Sequence, residues 1–257
     1  MNPLIDRRWL ARALAAAGAA VLAGCDQIAE SPQAAKVLQT AEGVNRRVQR
    51  LLQHRTALAP EFTAADISPV FKPNGETEPQ NPDYLALLAN DFADYRLKID
   101  GLVEHPLSLS LDQLRAAPSR TQITRHDCVE GWSCIGQWKG ARLGPILQRA
   151  GLKPAARYLV FHCFDEWDGP PGVGTPYYES IDLVDAFHPQ TILAYELNGQ
   201  TVPMANGAPL RLRVERQLGY KHAKYIRRIE AVDSLASIGG GRGGYWPDRG
   251  YDWYAGI

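Results

Sequence analysis

From Tyr95 to Val232 the chain alternates short strand-like runs with short helical ones and sustains neither for long. Tyr95 to Ile99 (YRLKI) alternates apolar and polar residues as a half-buried strand does, and Asp100-Gly101 follows as a turn. Ser110-x-x-Gln113 is a capping box that opens a short helix, and Pro118 closes it. Leu143, Ile146, Leu147 and Ala150 have helical spacing, and Gly151 supplies a C-terminal cap. Tyr158 to Phe164 (YLVFHCF) reads as a buried strand. Thr191 to Leu197 reads as another and ends in the hairpin pair Asn198-Gly199. RLRVE and YIRRIEAVD add two more. This interleaving predicts an α+β domain, with mixed β-sheets, short helices and long loops. The 18 prolines and 23 glycines also favour that class over a helical bundle.

Both ends stand apart from this texture. Residues 1–25 carry Arg7-Arg8 and Arg12, then a short apolar run that ends Leu22-Ala23-Gly24-Cys25. The run is short for a membrane span and reads as an export signal. Asp6-Arg7-Arg8-Trp9-Leu10 resembles a twin-arginine signal, with Asp6 where Ser or Thr is usual. The Leu-Ala-Gly-Cys end resembles a lipoprotein box, which makes Cys25 the expected lipidation site and the inner membrane the expected anchor. Residues 26–65 read as a tether or an N-terminal helix, 66–235 as the folded domain, and 236–257 as a Gly- and aromatic-rich tail. That tail is expected to pack back through Trp246, Tyr251 and Trp253, whose apolar bodies are costly to leave in water. The 28 basic residues balance the 28 acidic ones, so nothing in bulk charge suggests nucleic acid.

Three cysteines remain for the domain: Cys128, Cys134 and Cys163. Cys128 sits in RHDCVEGWSC, and its residues leave four readings open. A disulfide to Cys134 or Cys163 suits an oxidising compartment. A zinc site lacks its spacing, and a thiol nucleophile would need a base such as His126. The last reading is a lone thiolate on a thiophilic metal whose other sulfurs come from a cofactor.

Two ordered blocks narrow the choice. RHDCVEGWS, followed by Trp138-Lys139-Gly140, resembles the molybdopterin-binding domain of the sulfite oxidase fold. The bacterial branch that includes the periplasmic methionine sulfoxide reductase catalytic subunit is the closer likeness. The second block, Leu197 to Val232, carries Asn-Gly-x-Pro-Leu-Arg and Gly-Tyr-Lys-x-x-Lys and resembles that family's pterin-binding segment. Its composition suits an anionic ligand: Asn206-Gly207 permits close backbone approach, Arg211 offers a planar fork, and Lys221 and Lys224 supply point charges.

The resemblance implies an exported, molybdenum-molybdopterin-dependent oxidoreductase with Cys128 as metal ligand and catalytic centre. Glu130 stands beside it, either to handle protons or to fix the loop. Asn206, Arg211, His222, Ala223 and Lys224 would contact the cofactor. So would Phe71 and Asn74, in VFKPNG, and Cys163, where the family often has a hydroxyl; a small buried thiol is the plain alternative for Cys163. The expected reaction is oxygen-atom transfer, by sulfoxide reduction or sulfite-type oxidation. Electrons would be exchanged with a separate membrane or periplasmic redox protein, because no haem motif is present. Arg120 and Arg125 are candidates for an anion pocket, and Arg213, Arg227 and Arg228 read as a solvated strand face. His162 reads as a satisfied core histidine and Cys134 as filler. A monomer is expected, since the dimerising domain of the larger relatives is missing. The competing reading is a cofactor-free periplasmic lipoprotein of the same fold that acts as a binding protein.

Overall fold

The computed structural model describes residues 32–52 and 54–257. The export signal and Cys25 lie outside the described residues. Helix α1, Pro32–Leu52, opens the described chain, and no helix among the described residues is long and apolar enough to cross a membrane. Two compact units meet in sequence at Arg50: the first ends at Gln49, and the second, Arg50–Ile257, holds both sheets.

The first sheet contains β1 (Leu97–Gly101), β2 (Leu107–Leu109), β5 (Tyr158–Trp167), β6 (Thr175–Asp182) and β10 (Ile226–Val232), in the order β2-β1-β10-β5-β6. It is mixed: β1 runs parallel to β10 and every other pair is antiparallel. The second sheet orders β3 (Ser119–Asp127), β4 (Ser133–Arg142), β7 (Ile192–Leu197) and β8 (Gln200–Thr201), with β9 (Arg211–Arg213) paired to the other side of β7. Four short helices complete the unit: α2 (Pro82–Leu88), α3 (Leu111–Ala116), α4 (Leu143–Ala150) and α5 (Leu183–Ala186).

Local chemistry sets these boundaries. Asn81 caps α2 by accepting from the Asp83 and Tyr84 amides. Ser110 and Gln113 cap α3 reciprocally. Gly151 ends α4 at φ 69°, and its N–H bonds the Leu147 carbonyl. Asn198 and Gly199, both at positive φ, turn β7 into β8.

Apolar burial follows the two-residue period of the strands. In β1, Leu97 and Ile99 face the core while Lys98 faces water. The larger core packs α4 and the first sheet around Phe161, Leu159, Ile229 and Leu147. Each such side chain contributes about 1.5–3 kcal/mol on burial. A smaller core gathers Phe71, Ile192, Ala194 and Leu197 around Trp138. Gly140 lets β4 approach β7 there: a Cβ would sit 2.2 Å from the Leu193 carbonyl oxygen.

Candidate active site

The β3–β4 connection carries Cys128. It is a tight turn, in which Gly131 N–H bonds the Cys128 carbonyl at 3.1 Å and Cys128 N–H bonds the Trp132 carbonyl at 2.9 Å. Gly131 adopts φ 83°, which is why the turn needs glycine there. Glu130 accepts from the Trp132 indole N–H at 2.8 Å, so it braces the loop while its carboxylate stays near the thiol. Burial pushes the Cys128 thiol up, and the Glu130 charge adds to that; Lys72 pulls the other way. Cys128, Cys134 and Cys163 are all free thiols.

Cys128 and Glu130 line a cavity of about 230 Å³. Both sheets build it: Asp165 and Trp167 come from the end of β5, and His222 and Lys224 from the connection between β9 and β10. Asn74, and Trp246 and Tyr251 of the C-terminal tail, complete the lining.

The polar part of the wall has groups in unusual states. The Nε2 atom of His222 lies 3.0 Å from the Gln217 carbonyl oxygen. A carbonyl only accepts, so Nε2 carries the proton and Nδ1 keeps a lone pair. Burial, then Arg213 and His126, hold this ring well below the usual imidazole range, so it is neutral. Lys224 donates to the Ala205 carbonyl at 2.9 Å and to the Glu76 carbonyl. Burial, then Arg211, push it down to about 7, and Asp165 opposes that shift. Burial raises Asp165 to about 7, against the pull of Lys224.

Behind this wall lies a buried cationic layer. Arg211 is fully buried, donates to the Asn206 carbonyl at 2.9 Å, and stacks on Trp138 at 4.9 Å. Burial and Arg213 push its guanidinium down to about 9. Asn206 donates to the Phe71 carbonyl, and Gly207 at φ 110° brings Arg211 and Lys224 close together.

Several buried polar atoms here lack any partner: Asn74 Oδ1, Asp165 Oδ1, Arg211 Nε and His222 Nδ1. Buried polar groups are normally satisfied. A ligand rich in both donors and acceptors, with an anionic end, would satisfy this set, so the residues present fit a molybdopterin. No group of His, Cys, Asp and Glu among the described residues could hold a metal by itself. That leaves a single thiolate, which suits a metal brought by its own dithiolene.

The sequence-predicted residues fall into layers. Cys128, Glu130, Asn74, His222 and Lys224 line the cavity. Asn206, Arg211 and Ala223 are buried in the wall behind it. Phe71 packs edge-on against Trp138 at 5.0 Å. Cys163 is fully buried in the larger core, with its sulfur 3.9 Å from the Phe161 carbonyl. Cys134 is buried in the smaller core.

Three readings need correction. Arg213 is not on a solvated face: it is fully buried, paired with Glu215 at 2.5 Å, bonded to His126 Nδ1 at 3.0 Å and stacked on Trp138. Arg120 and Arg125 build no anion pocket at the cavity, because Arg120 pairs with Glu61 and Arg125 with Asp127. His162 is satisfied, by Glu230 at 2.9 Å, but it is half-buried and outside the core.

Sequence reasoning missed the cavity roles of Asp165, Trp167, Trp246 and Tyr251. The only signal for Asp165 was an acid at the end of an apolar strand. For the tail, packing back was legible but its destination was not.

Known proteins resemble this chain along most of its length. The oxidoreductase molybdopterin-binding domain matches residues 85–237. A putative protein-methionine-sulfoxide reductase subunit YedZ1 of Azospira oryzae is 36% identical over 97% of this chain and 87% of its own length. The protein-methionine-sulfoxide reductase catalytic subunit MsrP of Xanthomonas axonopodis is 34% identical over 90% of this chain and 71% of its own. Among solved structures, the sulfane dehydrogenase SoxCD of Paracoccus pantotrophus matches with a TM-score of 0.50 at 23% identity. It covers 60% of this chain and 45% of that one, a likeness of fold alone.

Proposed function

The chain belongs to the oxidoreductase molybdopterin-binding domain family, and on that premise we propose that this enzyme reduces a neutral sulfoxide rather than oxidising sulfite. The observation that carries the reading is the charge of the cavity. Glu76, Glu130 and Asp165 line it, and Lys224 is the only cation in its lining among the described residues. Lys224 gives two of its three donors to carbonyl oxygens, which leaves one for the cofactor and none for a substrate oxyanion. The two arginines nearest in sequence before Cys128 are spent on Glu61 and Asp127. No guanidinium lines the cavity to receive a substrate oxyanion, and a neutral sulfoxide needs none. The names of the relatives support the same substrate class.

The cofactor, when bound, would supply the two-electron chemistry of oxygen-atom transfer. The balance is one sulfoxide, two electrons and two protons to one sulfide and one water. Cys128 would hold the metal as a thiolate, because a bound cation keeps a thiol deprotonated. His222 Nδ1 would accept from a cofactor N–H. Lys224 would sit against its anionic end, with the buried charge of Arg211 behind. Asn74 presents a carbonyl oxygen to the same space. Glu130 keeps the thiol loop in place.

The electrons come from a separate one-electron carrier in this reading, and the working place is the periplasm, with Cys25 lipidated at the inner membrane. The support is the Arg7-Arg8 pair, the short apolar run and the Leu-Ala-Gly-Cys end. Lysine at both arginines should block export, and Cys25→Ser should abolish lipid labelling. The function itself is tested by turnover of metal-loaded protein with reduced viologen. Methionine sulfoxide should be consumed, and sulfite with an acceptor dye should not. The reverse preference overturns the proposal.

A further inference from the structure

The aromatic part of the cavity lining draws Trp246 and Tyr251 from the C-terminal tail, Trp167 from β5, Tyr177 from β6, and Tyr220 from the connection between β9 and β10. Trp246 and Tyr251 stack on each other, with ring centres 5.1 Å apart and planes 26° from parallel. Trp167 of β5 stands edge-on to Trp246 at 5.6 Å. All three rings line the same cavity as Cys128, Asn74, His222 and Lys224.

The tail is fastened around these rings. Tyr245 N–H bonds the Tyr178 carbonyl at 2.9 Å, and the Tyr245 hydroxyl donates to Asp168 at 2.6 Å. Arg249 pairs with the same Asp168. Asp248 accepts from the amides of Gly240 and Arg242. Gly250, at φ 101°, ends the turn that brings Tyr251 back onto Trp246. The two rings are therefore held in place before any ligand arrives, which lowers the ordering cost of binding.

Resting on the sulfoxide reading above, we infer that Trp246, with Trp167 and Tyr251, is the specificity element that receives the methyl–sulfur end of a methionine sulfoxide side chain. Methyl groups and sulfur both pack well on aromatic rings, sulfur often at the ring edge. An aromatic wall offers them contact without charge. It offers a hydrated oxyanion no positive charge in exchange for its water. The wall acts on binding, so it should set KM and leave kcat nearly alone.

The test uses the cofactor-loaded enzyme and a short peptide containing methionine sulfoxide. Trp246→Leu keeps an apolar side chain but removes the ring; Trp246→Phe keeps a ring. Leu should raise KM roughly tenfold, the scale of about 1.4 kcal/mol of lost contact, with kcat within about twofold. Phe should stay within about threefold of wild type in KM, since the ring contact survives. A second readout needs no turnover. The carbon-13-labelled methyl of the product methionine should shift upfield on binding wild-type holoenzyme, and that ring-current shift should shrink with Trp246→Leu. An unchanged KM and an unchanged methyl shift in Trp246→Leu overturn the inference. So does equal impairment of Leu and Phe with lost cofactor, which would make Trp246 a tail anchor only. A wild-type holoenzyme that binds the methionine peptide with the methyl shift yet turns over no sulfoxide would sink the reaction reading and leave the wall standing.

Discussion

Replacing Glu215 with Gln should destabilise the protein far more than a change at an ordinary strand residue. Arg213 and Glu215 are fully buried and joined by two bonds, of 2.9 and 2.5 Å. Arg211, a second buried guanidinium, stacks on the same Trp138 and has carbonyl oxygens as its recorded acceptors. Glu215 is thus the carboxylate in contact with this cationic layer. Removing its charge leaves a buried guanidinium uncompensated, a loss of about 3–5 kcal/mol. For a unit of this size each kcal/mol moves Tm by about 2–4 °C, so the shift should be about 6–20 °C. Thermal unfolding followed by circular dichroism on cofactor-free protein reads it directly. Adding Arg213→Met to Glu215→Gln removes the orphaned charge and should recover at least half of the loss, because replacing a buried pair by apolar volume is often near neutral. A Tm drop below about 2 °C for Glu215→Gln, or no recovery in the double variant, would mean that Glu215 does not compensate a buried charge on Arg213.

Two further outcomes follow from the same geometry. Asp165 titrates near 7 when folded, against 3.8 for the free side chain. The folded state therefore holds the extra proton between those values, and the Asp165 contribution to stability should fall as pH rises from about 4 to 7. Asp165→Asn should flatten that slope in urea midpoints of cofactor-free protein, and an unchanged slope would contradict the assignment. Gly140→Ala should cost about 1–3 kcal/mol in chemical denaturation, because its Cβ would collide with the Leu193 carbonyl across β4 and β7; wild-type stability would mean that the strands can part there.

The sequence carried the local punctuation well. The Ser110 capping box, the Gly151 cap and the Asn198-Gly199 turn are nearest-neighbour effects, and they lie where such chemistry predicts. Cys128 and the Asn206–Lys224 segment were legible as motifs. What remained hidden depends on partners far along the chain. Alternation on β9 says that Arg211 and Arg213 share a face, but not that the face is covered. Leu212 enters the larger core while both arginines press on Trp138, so the strand is buried on both sides. A counter-ion two residues on, Glu215, makes that burial tolerable, and no periodic pattern announces it. The cavity positions of Asp165, Trp246 and Tyr251 likewise exist only once β5, the β3–β4 turn and the tail converge.

The most direct test of the central assignment is the sulfur coordination of molybdenum, read by X-ray absorption on purified wild type and on Cys128→Ala. Molybdenum is expected in both proteins, with the variant showing one sulfur neighbour fewer and losing nearly all turnover. The cradle of Asn74, His222 and Lys224 is separate from the thiol, so the variant should keep much of its pterin. Molybdenum with an unchanged sulfur count in Cys128→Ala, or a wild type that carries no molybdenum when produced with the cofactor available, would contradict that assignment.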